Sequence, residues 1–209
     1  PSLFNKALAA TITKILETAP HTRIIVLQGT TANPVDQMYR NAGFEWGTPR
    51  DASLADICDI LAGLPLMFQP GTEWAYSMSI DVLGRVVEIL SGMTLGEFMK
   101  KRIFDPLGMT DTAFHCSADK ADRLAALYVP NPADKKILRN DAGAAGALNE
   151  PKAHLGGGGL VSTTSDYLKF AEMLRGGGEY NGTRILSNRT VAFMASNHLP
   201  NNADLTECG

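Results

Sequence analysis

The stretch that decides the fold runs from Pro70 to Phe114 and reads PGTEWAYSMSIDVLGRVVEILSGMTLGEFMKKRIFDPLGMTDTAF. It opens with a Pro-Gly turn and an aromatic pair, Trp74 and Tyr76. Two helices are predicted to follow, over residues 79–91 and 95–104, because each segment carries sequence signals for its start and its end.

The first of these helices is predicted to begin at a side-chain cap from Ser77 or Ser79, whose hydroxyl would accept from an orphaned backbone N–H. Its apolar residues recur at helical spacing, which predicts that they share one buried face. These residues are Ile80, Leu83, Val87 and Leu90. Gly92 is placed to end the helix in a left-handed conformation.

The second helix is predicted to begin with a capping box, Thr94-Leu95-Gly96-Glu97, in which the Thr and Glu side chains each serve the other's backbone N–H. Its apolar face continues through Leu95, Phe98, Met99 and Ile103. Pro106 and Gly108 are placed to close it.

Three segments of this stretch, PGTEWAYS, DVLGRVVE and IFDPLGMTDTAF, resemble the serine β-lactamase, penicillin-binding protein and family VIII esterase superfamily. Their order and spacing carry the resemblance, and the Tyr-Ser pair after the Pro-Gly turn is closest to the family VIII (class C β-lactamase-like) esterase branch. The resemblance covers residues 33–206 and leaves an unmatched N-terminal segment, residues 1–32. We therefore expect a single domain over residues 1–209 that looks truncated at both ends.

The predicted fold class is mainly α with a few short strands (α+β), which the resemblance equates with the helical part of the β-lactamase/transpeptidase-like fold. Strand is expected to be scarce because alternating apolar patterns are scarce. Further helices are predicted near residues 2–18, 54–62, 165–175 and 188–196, with a strand over 23–27, helical turns over 36–41 and a turn-rich region over 130–153.

Tyr76 and the adjacent Ser77 are the catalytic residues that the resemblance implies. In the superfamily the matching Tyr lies beside a nucleophilic Ser and its Lys and takes part in proton transfer. A phenol has a reference pKa of about 10, and nearby positive charge favours its ionised form, so that the oxygen acts as a base. A core Tyr whose hydroxyl bonds to the backbone is the structural alternative.

The residues predicted to contact substrate are Trp74, Met78, Gly157 and Gly158. The usual superfamily pattern is Tyr-x-Asn, and Met78 stands at the Asn position. Because Met cannot donate the hydrogen bond of an Asn amide, this departure favours an ester over a β-lactam substrate. The glycine run itself, Gly156–Gly159, lacks the following Gly-Lys-Ser/Thr of a phosphate site. The resemblance implies that this run is a structural turn leading into STTSDYLKF.

The nucleophile is not recognisable, because no Ser-x-x-Lys motif stands where the superfamily places it, and the Lys-Thr-Gly or Trp-Gly-Gly strand motif is also missing. Two alternatives remain open for the catalytic groups: Thr11 with Lys14, where Thr replaces Ser, and His154 before the glycine run. Ser117-Ala118-Asp119-Lys120 matches the motif literally, but it follows the LGMTDTAF segment, where relatives have an ordinary surface helix.

No metal or cofactor is predicted. The four histidines are scattered without metal spacing, and Cys58, Cys116 and Cys208 form no CxxC pair. The composition, 44% hydrophobic and 20% charged with a formal net charge of −3, is that of a soluble globular protein and predicts no binding to nucleic acid or membrane. The compartment stays open, with the cytoplasm favoured over the periplasm.

We therefore predict a β-lactamase-like serine hydrolase, leaning towards a carboxylesterase, that acts by acyl transfer on a small-molecule ester or β-lactam and is incomplete in this chain. The alternatives are a non-catalytic fragment or binding module with this fold, and a hydrolase with relocated groups. A homo-oligomer is expected, since apolar helix faces that pack on a sheet in relatives would be exposed.

Overall fold

A computed structural model of the chain describes residues 34–44, 47–49, 51–66, 68–70, 72, 78–131, 133–134 and 136–202. The helix predicted over 2–18 and the strand predicted over 23–27 lie outside these residues. The chain divides into two compact units. The first contains the described residues up to Phe98, Lys152–Gly157 and the described residues from Phe193, and the second contains Met99–Pro151 and Gly158–Ala192.

Helices account for most of the regular structure in the described residues. They are α1 (Pro34–Tyr39), α2 (Leu54–Ala62), α3 (Ser79–Ser91), α4 (Leu95–Met99), α5 (Asp105–Leu107), α6 (Asp141–Gly146), α7 (Thr164–Arg175) and α8 (Asn188–Met194). Two π-helical segments, Arg40–Phe44 and Lys100–Phe104, and two 3-10 segments, Ala118–Arg123 and Pro200–Asn202, extend or connect them. The mainly α prediction is confirmed, and helices 54–62 and 79–91 have the predicted bounds.

The described strands are short and form two antiparallel hairpins. Strand β1 (Tyr128–Pro130) pairs with β2 (Ile137–Arg139), and Tyr128 lies opposite Arg139. Strand β3 (Glu179–Tyr180) pairs with β4 (Thr183–Arg184). The sequence pattern predicted a turn-rich region from residue 130 and missed the first hairpin.

The core of the first unit forms around α2. Ser53 caps this helix, and its hydroxyl and the Asp56 carboxylate complete a capping box. The buried side chains of the cluster are Tyr39, Phe44, Ile57 and Leu61. Fully burying one such apolar side chain contributes about 1.5–3 kcal/mol, so this cluster anchors the unit.

Helix α3 ends as predicted at Gly92, whose φ of 68° is the left-handed conformation that glycine adopts without steric cost. Its start differs from the prediction. The N-cap residue is Met78, no side chain caps it, and Ser79 is the first helical residue. Ser77 lies outside the described residues.

The predicted buried face of α3 is wrong. Ile80 is 54% exposed and Leu83 is 59% exposed, whereas Asp81 and Gly84 are buried. The missing side chain of Gly84 explains the orientation, since a Cβ there would lie 2.9 Å from Leu95 Cδ2. The face of the helix that carries Gly84 is therefore buried, because it permits the closest approach. The apolar stripe of the helix is exposed.

The second unit has its own core, in which Phe104, Leu107, Met109 and Met173 are buried. Helix α7 supplies Met173, and its N-cap is Thr163, whose Oγ1 accepts a hydrogen bond from the Asp166 N–H over 3.2 Å. Gly176 follows as its C-cap. This helix positions Asp166 at its first turn.

Candidate active site

The first turn of α3 follows directly on the predicted catalytic pair in the sequence. The Met78 carbonyl accepts from the backbone N–H groups of Asp81 and Val82, at 3.0 and 3.2 Å. Asp81 is only 6% exposed, and its Oδ1 accepts from the backbone N–H of Gly157 over 2.9 Å. An acidic side chain in a first helical turn is also favoured by the helix dipole. The turn is thus fixed to the glycine run.

The glycine run makes this approach possible. A Cβ on Gly156 would lie 2.1 Å from the carbonyl oxygen of Ile80, so no other residue fits without a backbone shift. Around Gly157 a Cβ would be 3.4 Å from both Asp81 carboxylate oxygens. Because the run has no side chains, its backbone packs directly against α3. This packing agrees with the structural turn that is expected for the run.

The structure describes part of the predicted site. Met78 packs against the core cluster of the first unit, and the Gly157 amide is bonded to Asp81, which links these two predicted substrate contacts through one helical turn. Gly158 is exposed, with open space around the position of a Cβ. The other predicted site residues, Trp74, Tyr76, Ser77, Thr11 and Lys14, lie outside the described residues, and their roles stay predictions.

His154 has a structural contact that the sequence did not predict. Its Nδ1 accepts a hydrogen bond from the backbone N–H of Gly96 over 3.1 Å, across 58 positions. While this bond exists Nδ1 carries no proton, so a neutral ring holds its proton on Nε2. A Cβ on Gly96 would lie 2.6 Å from Nδ1, so Gly96 makes room for the ring.

His154 provides one of three side-chain acceptors for the backbone N–H groups at the N-terminus of α4. The Leu95 N–H donates to Glu88 Oε1 at 3.2 Å, the Gly96 N–H donates to His154, and the Glu97 N–H donates to Thr94 Oγ1 at 3.2 Å. The return bond from the Thr94 N–H to Glu97 confirms the predicted capping box and holds the pKa of Glu97 below its usual value. These N–H groups would otherwise be orphaned at a helix start.

The literal Ser117-x-x-Lys120 match forms part of a different cluster. Lys120 Nζ lies 2.9 Å from Asp111 Oδ1 and donates to the Thr110 carbonyl over 2.6 Å. Arg123 binds both oxygens of Asp111, at 3.0 and 2.6 Å. These two cations hold the pKa of Asp111 well below its usual range, with Arg123 making the larger contribution. The Lys120 ammonium therefore engages Asp111 and Thr110.

Asp166 organises the LGMTDTAF segment from the second unit's α7. Its side chain is 4% exposed and accepts from the Asp111 N–H at 2.7 Å, from Thr112 Oγ1 at 3.1 Å and from Lys169 Nζ at 2.9 Å. Burial acts to raise the pKa of Asp166, but these donors outweigh it and the pKa is lowered. The LGMTDTAF segment and α7 were both recognisable in the sequence. The bond between them joins residues 55 positions apart and therefore has no local sequence signal.

Two features are absent from the part of the chain that the structure describes. No group of three or more His, Cys, Asp or Glu side chains is arranged there to hold a metal ion. None of the helices described is both long and apolar enough to cross a membrane.

The fold is that of a β-lactamase/transpeptidase-like protein. The sequence profile of the family described as Beta-lactamase matches residues 29–205, and the chain belongs to that family. This match confirms the resemblance inferred from the motifs.

Individual relatives are similar over most of this chain and over less than half of their own length. Protein Rv1367c of Mycobacterium tuberculosis is 37% identical over 179 residues, which cover 86% of this chain and 43% of that protein. Lovastatin esterase of Penicillium rubens is 41% identical over 137 residues, or 65% of this chain and 33% of the esterase.

Among solved structures, "EstCE1, a hydrolase with promiscuous acyltransferase activity" superposes with a TM-score of 0.66 at 26% identity. The superposition covers 85% of this chain and 49% of EstCE1.

Proposed function

We propose that this chain forms the helical part of a carboxylesterase-type serine hydrolase that cleaves a small-molecule ester by acyl transfer. The observation that carries the proposal is the 41% identity to lovastatin esterase, which is named for ester hydrolysis. Membership of the Beta-lactamase family supports the same hydrolase chemistry. Met78 at the position of the superfamily's Asn favours an ester over a β-lactam.

In the proposed reaction the ionised oxygen of Tyr76 takes the proton of a Ser hydroxyl, and the Ser oxygen attacks the ester carbonyl carbon. The carbon–oxygen bond to the alcohol breaks, and the alcohol leaves with that proton. Water then attacks the acyl-Ser, which releases the carboxylic acid and restores the Ser hydroxyl. The nucleophile is unassigned, with Ser77 and the Thr11–Lys14 pair as candidates within this sequence.

The fixed first turn of α3 supports Tyr76 as the base. Tyr76 stands two positions before Met78, whose carbonyl begins the helix. Asp81 ties this turn to Gly157, so α3 begins from a fixed turn two positions after Tyr76 in the sequence. A general base must be held within hydrogen-bond reach of the proton that it takes, and a fixed neighbouring turn supports that role.

We also propose that the chain self-associates through the apolar stripe of α3. Ile80 and Leu83 are more than half exposed, and Leu90 lies on the same helix at 38% exposure. Contiguous exposed apolar surface favours association, and a second copy of the chain presents the same stripe.

The test compares Tyr76→Phe with the unchanged chain on short p-nitrophenyl esters and on nitrocefin. We expect no nitrocefin hydrolysis and weak ester hydrolysis. Any turnover that uses Tyr76 as its base should fall at least about 100-fold when its oxygen is removed. Tyr128→Phe is the matched control, because Tyr128 is an exposed strand residue.

Intact-mass measurement after fluorophosphonate treatment completes the test. An adduct that maps to Ser77 or Thr11 identifies the nucleophile. Robust ester turnover that survives Tyr76→Phe would refute the proposed base and direct mutagenesis to Lys14 and His154. A chain with neither an adduct nor turnover that depends on Tyr76 would be a binding module rather than an enzyme.

A further inference from the structure

The second unit contains a cavity whose lining includes none of the residues assigned to the proposed reaction. It lies between the turn at Thr110–Thr112, the 3-10 segment Ala118–Arg123 and the stretch Val161–Thr163, and its volume is about 330 Å³. Small-molecule sites in proteins begin at about 300 Å³, so the cavity has room for a small organic molecule.

The cavity wall has an apolar part and a charged part. Ala113, Leu124, Ala125 and Val161 supply apolar surface, whereas Asp111, Lys120 and Arg123 form a charged group on the lining. Such a combination binds molecules with an apolar body and one polar or charged end, because the few polar groups fix the ligand's orientation.

Within the lining, two cations share the single carboxylate of Asp111, so this group has a formal charge of +1. Two carboxylates outside the lining also act on these cations, Asp119 on Lys120 and Asp166 on Arg123. Arg123 uses Nη1 and Nη2 on Asp111, and a guanidinium has five N–H donors, so donors remain for another acceptor. The Arg123 side chain is 59% exposed. The other basic residue on the lining, His115, is paired with Glu150.

We propose that this cavity binds a small organic carboxylate with an apolar tail. The carboxylate lies against Lys120 and Arg123, where it accepts from guanidinium N–H groups that Asp111 does not use, and the tail lies along Ala125 and Val161. The inference rests on the second unit's own residues and does not depend on esterase activity.

Cys116 provides the readout, since its side chain lines the cavity. The rate of its alkylation by N-ethylmaleimide, followed by peptide mass spectrometry, should fall when hexanoate fills the cavity. Cys58 is the internal reference, because it lies in the first unit and its burial raises the pKa of its thiol to about 11. Its slow alkylation should not respond to hexanoate.

The head group of the ligand is tested with two analogues that have the same tail. Protection should saturate with hexanoate at a concentration about fivefold lower than with hexanamide, the preference expected for a partly exposed ion pair. Hexylammonium should protect less than hexanamide. Added salt should reduce the preference for hexanoate, because it screens the exposed cations.

Two variants test the two parts of the wall. Arg123→Gln removes the guanidinium and should equalise hexanoate and hexanamide. The matched control is Arg175→Gln, since Arg175 is an exposed arginine that pairs with Glu172 on α7. Ala125→Leu fills the apolar part and should abolish protection by both ligands. Thermal unfolding should show that each variant stays folded.

Three outcomes would each overturn the proposal: no saturable protection by hexanoate, equal protection by hexanoate and hexanamide, or a hexanoate preference that survives Arg123→Gln. If Cys116 reacts too slowly to follow, saturation-transfer NMR of hexanoate replaces the alkylation assay. A signal that persists in Ala125→Leu would then place the binding elsewhere and refute the site.

Discussion

The buried carboxylate of Asp81 and the backbone N–H of Gly157 are joined by a 2.9 Å hydrogen bond across 76 positions of the chain. This bond connects the start of α3 to the glycine run and satisfies a buried charge whose desolvation would otherwise be costly. The backbone around it is closely packed, since Gly156 leaves no room for a Cβ beside the Ile80 carbonyl.

Replacing Asp81 should therefore destabilise the first unit. Asp81→Ala leaves the Gly157 N–H without its acceptor and should lower the free energy of unfolding by about 2 kcal/mol. Asp81→Asn keeps an acceptor oxygen and should cost less. Asp59→Ala, at an exposed position of α2, is the control and should change stability by at most about 0.5 kcal/mol. Urea unfolding measures all three, and an Asp81→Ala value equal to that of Asp59→Ala would contradict the role of this bond.

The contact between Gly96 and His154 predicts that the effect of Gly96→Ala on stability changes sign when His154 is removed. In the unchanged chain Gly96→Ala should destabilise by about 1 kcal/mol, because the new methyl group displaces His154 from the N–H that it caps. In a His154→Ala background the same substitution should stabilise, because no ring blocks the methyl group and Ala is the better helix former. Additive effects in thermal unfolding would show that the two residues are not coupled.

The Asp166 network should make stability depend on pH. Because the pKa of Asp166 is lowered in the folded chain, its contribution is fully present above the ordinary Asp pKa of about 4 and is lost as the pH falls towards the folded value. At neutral pH Asp166→Asn should cost about 2 kcal/mol, and the difference from the unchanged chain should shrink in acid.

The control for this prediction is Asp122→Asn, an exposed Asp in the 3-10 segment. It should leave the stability profile unchanged within about 0.5 kcal/mol. Urea unfolding from neutral to acid pH provides the profile. A cost of Asp166→Asn that is constant over the whole range would show that burial and shape, rather than charge, account for the loss.

Self-association through α3 is tested by light scattering. The unchanged chain should be larger than a monomer at tens of micromolar. Leu83→Lys places a charge in the middle of the exposed stripe and should shift the chain to monomer, whereas Ile137→Lys, at an 80% exposed position on β2, should not. A monomeric unchanged chain refutes the association, and a dimer unaffected by Leu83→Lys refutes the face.

Three of the helices were predictable from their cap signals, whereas α6 lies in the region predicted to be turn-rich. Ser53 with Asp56, Thr94 with Glu97 and Thr163 with Asp166 all lie within one helical turn, so their caps are readable in sequence. The buried face of α3 was not predictable from hydrophobicity, because its inward side is formed by a charged residue and a glycine. Leu54 and Leu95 approach Gly84 closely and Asp81 bonds to Gly157, and both contacts depend on tertiary packing.

The part of the candidate site that lies within recognisable motifs was predictable from the sequence. The motifs indicated the family and Gly157, but the acceptor for its N–H, Asp81, was not singled out. The sequence makes His154 an alternative catalytic group, and only the fold shows its contact with Gly96. Long-range partners of this kind leave no periodic signal in the sequence, so neither spacing nor composition predicts them.

Asp166 also limits when the turn at Asp111 and Thr112 can fold during synthesis of the chain. The turn at Asp111 and Thr112 leaves the ribosome long before its acceptor, which is 55 positions further along the chain. Until Asp166 emerges, the Asp111 N–H and the Thr112 hydroxyl have no buried carboxylate to bind. A nascent chain that stalls before α7 therefore presents this turn without its anchor, and the second unit cannot close until that helix is made.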